Sequence, residues 1–162
     1  QIAPGSYRSE FGLLRWRDVD WSLWIQLVQE ARDRQLSELP APIFGSDGDA
    51  EVVAQAAMNA HACGTDNLVR FDRADLSQIE PPSDCGLLIC NPPYGERLGE
   101  VQVLGAFYKQ LGDVLKQRFK GWTAFILTGN KELGKCIGLR AARRIPVNNG
   151  SIACTFLKYE LY

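Results

Sequence analysis

With 162 residues, 46% of them hydrophobic and 23% charged, and a formal net charge of −1, the sequence suits one soluble globular domain with a sizeable core. It holds no apolar run long enough to span a membrane, and residues 1–8 are not a basic-then-apolar leader. The five cysteines (Cys63, Cys85, Cys90, Cys136, Cys154) form no C-x-x-C pair and His61 is the single histidine, which argues against zinc and reads as small core residues of a reduced, cytoplasmic protein.

Residues 1–19 open on a turn-like Pro4-Gly5-Ser6 and carry Tyr7, Phe11 and Trp16, expected as irregular structure packed on the domain. Asp20 or Ser22 can cap a helix predicted to run to about Ser37. Its Trp21, Trp24, Ile25, Leu27, Val28 and Ala31 form an apolar stripe, which at helical spacing reads as core rather than as a base-stacking surface. After a proline-bounded break, Ile43-Phe44-Gly45-Ser46 is a short strand ending at Asp47. Asp49 then opens a helix from Ala50 to about Cys63, and Gly64 ends it.

Leu68-Val69-Arg70-Phe71 is the next strand, followed by Ala74-Asp75-Leu76. Pro81-Pro82-Ser83 is a loop before the apolar run Gly86-Leu87-Leu88-Ile89-Cys90. Residues 103–119 are predicted as a helix with Leu104, Phe107, Leu111, Val114 and Leu115 on one face. A strand at 122–128 and a short helix at 132–139 come next. Strands at 143–147 and 152–160 are expected to form a final hairpin around Asn148-Asn149-Gly150-Ser151. Alternating strands and helices with a closing hairpin imply an α/β fold: a doubly wound, mostly parallel sheet with an antiparallel strand at or near its edge. Residues 1–42 are read as a lead-in and 43–162 as the α/β core.

The most informative segment is Asn91-Pro92-Pro93-Tyr94, which stops an apolar strand. Two prolines fix φ twice, remove two backbone donors and push each preceding residue out of the helical region. The product is a stiff loop at the carboxyl end of a strand, where open α/β sheets bind ligands. An amide and an aromatic ring held there suit attack by the exocyclic amine of a nucleobase. That nitrogen becomes cationic as it attacks, and the Asn91 side-chain oxygen and Pro92 carbonyl can accept its hydrogens. Tyr94 can stack on the face of an extruded base.

The tetrapeptide resembles motif IV of the amino-directed, S-adenosylmethionine-dependent methyltransferases. The longer string Asn91-Pro92-Pro93-Tyr94-Gly95-Glu96-Arg97-Leu98 resembles that of the bacterial 23S rRNA guanine-N2 methyltransferases. Phe44-Gly45-Ser46-Asp47 with Asp49, the helix ending at Asn59-Ala60, Pro4-Gly5 and Asn148-Asn149-Gly150 add to the likeness. The resemblance implies a Rossmann-like methyltransferase fold, S-adenosylmethionine as cofactor, 23S rRNA as substrate, and a THUMP-type RNA-binding domain upstream. Asp47 and Asp49 are expected on the cofactor side: Asp47, ending the second strand of that fold, takes the ribose hydroxyls, and Asp49 can also fill the helix cap. Asp75 matches the acid that contacts the adenine amine, or is an ordinary turn aspartate, with Ala74 and Leu76 flanking the adenine ring. Asn91 serves both cofactor and base. Arg97 either meets an RNA phosphate or braces the loop through Glu96 or Glu100.

The sequence departs from the family at one point. Nothing before Ile43 matches its first strand and glycine-rich loop, so the chain reads as a fragment beginning after the first helix. The missing strand normally sits between the second and fourth. The loop alone does not separate guanine from adenine, so a DNA adenine-N6 or tRNA guanine-N2 enzyme, or a non-catalytic RNA-binding module, stays open. A net charge of −1 gives no global attraction to nucleic acid, where phosphate neutralisation dominates affinity. The basic clusters at 116–120 and 140–144 read first as solvated surface.

Overall fold

The computed structural model describes residues 5, 8, 10–36, 38–94 and 98–162. Expectations placed on Pro4, Ser6, Tyr7, Ser37, Gly95, Glu96 and Arg97, and on the Glu100 side chain, lie outside the described residues. The chain divides into two compact units, Gln1–Asp72 and Arg73–Tyr162.

In the first unit a 3-10 turn, Gly12–Arg15, precedes helix α1 (Trp21–Asp33). The Asp20 carboxylate accepts the Leu23 amide hydrogen at 2.9 Å and caps α1. The apolar stripe of α1 does not form core, contrary to expectation. No residue of α1 is buried, and Trp21 and Ile25 are 54% and 65% exposed. Periodicity makes a face amphipathic, but burial needs a partner; Trp24, half-buried, meets the edge of Phe11, 5.1 Å away between centroids. Strand β1 (Ile43–Asp47) pairs with β2 (Val69–Arg73), with helix α2 (Ala50–Ala62) between them in sequence. Asp49 caps α2 through the Glu51 amide at 2.8 Å, and Gly64 follows the helix at φ 64°.

The second unit is built on strands β3 (Leu87–Cys90), β4 (Thr123–Thr128), β5 (Arg143–Asn149) and β6 (Ile152–Glu160), ordered β3-β4-β6-β5. β3 and β4 are parallel, with Leu87 opposite Thr123 and Cys90 opposite Ile126. β6 runs antiparallel to both β4 and β5. The hairpin loop is Gly150-Ser151 alone, because Asn148 and Asn149 continue the ladder. β5 carries Pro146, which an edge strand tolerates. The described strands thus form a two-stranded and a four-stranded sheet with parallel and antiparallel pairs, in keeping with the expected α/β fold and its closing antiparallel hairpin. The strand that the resemblance places between the family's second and fourth is not among them.

Helix α3 (Leu98–Arg118) supplies Tyr108, Leu111, Val114 and Leu115 to the core, with Ala124 and Ile126 of β4 and Leu157 and Tyr159 of β6. Each large side chain buried there stabilises by ~1.5–3 kcal/mol. Tyr108, absent from the predicted stripe, is fully buried; its hydroxyl donates to Thr128 Oγ1 at 3.3 Å. The cysteines are less buried than expected: only Cys154 is buried, Cys90 is half-buried, and Cys63, Cys85 and Cys136 are exposed. Their scatter along the sequence carries no information about depth. Among the described residues no helix is long and apolar enough to cross a membrane.

Helix α4 (Lys131–Cys136) and α3 approach at Gly112, where a Cβ would strike the Ile137 carbonyl. Glycine to alanine inside a helix ordinarily stabilises by ~1 kcal/mol. Gly112→Ala is expected to do the opposite, destabilising by ~1–3 kcal/mol through overpacking. A lowered urea midpoint is the expected readout; an equal or raised midpoint contradicts this approach of Gly112 to the backbone.

Candidate functional site

The 91–94 loop leaves β3 at the end where β4 also finishes, because the two strands are parallel. Asn91 is exposed, and its side chain has no hydrogen-bond partner among the described residues. Pro92 is buried and Pro93 exposed, so the loop is anchored at its second residue and projects from there. Tyr94 is half-buried and packs against the core.

Two segments hold Tyr94, the turn after β4 and the β5–β6 hairpin. Its ring lies on Gly129, just past β4: a Cβ there would come within 3.0 Å of Tyr94 Cδ2, so any larger residue would press on the ring. The same Cβ would meet Ile152 at 3.2 Å. The Tyr94 hydroxyl oxygen accepts a hydrogen bond from Asn149 Nδ2 at 2.7 Å. Gly129 is itself fixed by its neighbours. Thr128 Oγ1, buried, accepts from the Asn130 amide at 3.2 Å and donates to the Asn130 carbonyl at 3.1 Å. The Asn130 side chain then caps α4 at the Glu132 and Leu133 amides. Sequence reasoning singles out Asn148-Asn149-Gly150 as a turn and gives Asn149 no role at the site. It assigns none to Gly129 or Ile152 either. No local signal marks a bond between residues 55 apart.

Asp47 and Asp49 come together in the turn from β1 to α2, within the first unit. Asp47 Oδ1 accepts the Asp49 amide hydrogen at 2.9 Å, while Asp49 does the capping, so Asp47 is not the helix cap. Ala74 is half-buried and Asp75 exposed at the start of the second unit. Asp75 Oδ1 accepts from the Ser77 hydroxyl at 2.6 Å and from its amide at 2.8 Å, capping the 3-10 turn Leu76–Gln78. Those two donors hold its carboxyl below the usual carboxylate range. An ionised carboxylate has about four acceptor directions. Each carboxylate, taken within its own unit, therefore keeps acceptor capacity of the kind that a hydroxyl or amine of a nucleoside cofactor would use. Arg97 lies outside the described residues. Among the described residues no group of three or more His, Cys, Asp or Glu could hold a metal ion.

A family model described as the RMKL-like methyltransferase domain matches residues 1–158. A Synechocystis sp. protein provisionally named an RNA methyltransferase is 52% identical over 161 residues, covering 99% of this chain and 42% of that protein. The ribosomal RNA large subunit methyltransferase K/L of Methylococcus capsulatus is 40% identical over 163 residues, covering 99% of this chain and 22% of its own length. The chain thus spans less than half the length of these relatives. Among solved structures, SMU.472, provisionally called a methyltransferase and complexed with SAH, superimposes with a TM-score of 0.88 at 28% identity. It is covered to 42%, and this chain to 99%. A protein of Clostridium difficile 630, called a possible methylase, gives 0.89 at 29% identity with the same coverage of each chain.

The Tyr94–Asn149 bond is testable by a double-mutant cycle of Tyr94→Phe and Asn149→Ala. A coupling of ~0.5–1.5 kcal/mol in denaturation free energy is expected. Additive effects of the two substitutions would mean that the bond does not hold the ring.

Proposed function

The chain belongs to the RMKL-like methyltransferase domain family and has a Rossmann-like, S-adenosylmethionine-dependent methyltransferase fold, and from that premise we propose that it methylates the exocyclic N2 amine of a guanine in 23S rRNA. The observation that carries this reading is the loop after β3, where an uncommitted Asn91 amide stands beside the braced ring of Tyr94. Bound S-adenosylmethionine supplies an electrophilic methyl group. As the guanine nitrogen bonded to that carbon, the sulfur–methyl bond would break, its electron pair leaving with S-adenosylhomocysteine, and the nitrogen would gain positive charge while the Asn91 side-chain oxygen and Pro92 carbonyl accept its hydrogens. Acceptors fixed in advance favour that charge without reorganisation. The buried Pro92 and the restricted backbone at Pro93 fix the backbone, and with it the Pro92 carbonyl and the point from which the Asn91 side chain projects. No strong general base is needed, since the proton becomes acidic once the nitrogen is cationic.

Tyr94 stacks on the extruded base, and the Asn149 bond together with Gly129 sets its tilt. Asp47, released from capping by Asp49, takes the ribose hydroxyls. Asp75, kept ionised by Ser77, accepts from the adenine amine, with Ala74 beside the ring. Arg97 serves the substrate side, at a phosphate or as a brace of the loop. A THUMP-type domain elsewhere in the protein supplies RNA affinity that a net charge of −1 does not. The large-subunit name of the Methylococcus relative supports the choice of RNA.

The test is methyl transfer from isotope-labelled S-adenosylmethionine to unmodified 23S rRNA by the full-length encoded protein, followed by digestion to nucleosides. Label is expected in N2-methylguanosine; label in another nucleoside overturns the assigned target. Asn91→Ala is expected to lower kcat roughly ten-fold to a thousand-fold. Unchanged turnover would remove Asn91 from the mechanism.

A further inference from the structure

The second unit holds a groove of ≈ 430 Å³ that the mechanism does not use. Lys131 and Lys135 of α4 and Arg144 of β5 line it, with Thr155 and Tyr159 of β6. It reaches Gly129, the residue on which the Tyr94 ring lies. Three cations line it and no carboxylate does. Lys135 pairs with Glu132 at 2.7 Å, whereas Lys131 and Arg144 have no ion-pair partner among the described residues. In a chain of net charge −1, this is a local concentration of positive charge. Of Arg140, Arg143 and Arg144, only Arg144 lines the groove, which sets it apart from the solvated cluster around it.

We propose that this groove binds the phosphodiester backbone of the RNA next to the target nucleotide, with Lys131 and Arg144 as the phosphate contacts. The inference rests on the reading that the target base stacks on Tyr94. A strand leaving that base over Gly129 enters the groove directly. Such contacts carry no sequence information but fix the register of the strand on the protein. The arginine fork can grip a phosphate in bidentate fashion, while the lysine acts as a point charge. Burial pushes the Tyr159 hydroxyl up to about 12, against an opposing pull from Arg144, so it stays protonated in the groove.

The experiment titrates a single-stranded segment of unmodified 23S rRNA with the full-length encoded protein at several salt concentrations. Replacing both contacts (Lys131→Gln with Arg144→Gln) is expected to weaken binding roughly ten-fold or more. The slope of log affinity against log salt should fall by about 0.7 per lost contact. Turnover at saturating RNA should persist. The charge-keeping pair, Lys131→Arg with Arg144→Lys, should retain most of the affinity. An equal loss in that pair would place the effect in packing and overturn the site. A glutamine variant with the affinity and salt slope of an active wild type overturns this site alone. A wild type that binds no RNA overturns both the site and the function it rests on.

Discussion

The parallel pairing of Leu87–Cys90 with Thr123–Ile126 is the constraint on which the site depends. Parallel strands end together, so the Asn91 loop and the Gly129 turn emerge side by side. β6 runs antiparallel to β4 with Thr155 opposite Thr128, which brings the start of β6, and the hairpin loop before it, to that same end. Two segments distant in sequence from Tyr94 therefore converge on it. The ring sits on the Gly129 turn and is hydrogen-bonded by Asn149 of the β5–β6 hairpin, whose Ile152 also lies close to Gly129. A shift of register in any pair would turn side chains to the opposite face and dissolve the cluster.

The core and the site share a hydroxyl. Thr128 is buried at the last position of β4, where Tyr108 of α3 donates to it and the Asn130 backbone closes on it. Burial raises the Tyr108 pKa, so this group remains a donor through the neutral range. Leaving such a buried group unpaired costs ~1–3 kcal/mol. The penalty keeps the turn containing Gly129 in one conformation, and through the Asn130 cap it also sets where α4 begins. The helix that lines the basic groove and the glycine that supports Tyr94 are thus positioned by the same three residues.

What could be read from the sequence was local. Asp20 and Asp49 betrayed helix starts, Gly64 a helix end, and Asn91-Pro92-Pro93-Tyr94 a stiff loop, because each acts on its own neighbours. Asn149 could not be recognised as a partner of Tyr94, since only the sheet order brings them within 2.7 Å. The stripe of α1 has the right period, yet none of its residues is fully buried, so periodicity overstated its depth. Tyr108 failed in the opposite direction. It was not named in the predicted stripe, yet its bond to Thr128 lets the whole side chain go inside. Of the basic residues of the groove only Arg144 fell in a charge cluster read from the sequence; Lys131 and Lys135 lay in none, and that Arg144 faces the same cavity depends on the hairpin register.

The two edges of the four-stranded sheet differ in a way that bears on the fold as a whole. β5 is an edge by composition: Arg143, Arg144 and Pro146 oppose addition of another strand. β3, at the other edge, reads Leu-Leu-Ile-Cys, with neither charge nor proline. Its Leu87 and Ile89 are 58% and 65% exposed, while Ala124 and Ile126 of the adjoining β4 are fully buried. An uninterrupted apolar run is what a parallel strand carries when it is covered on both faces. β3 therefore has the sequence of an interior strand, and its free side is where the resemblance to the family places the first strand of the fold. The segment that ends in Asn91 is accordingly suited to the middle of a sheet, the position from which a loop at the carboxyl end can meet both a cofactor and a base.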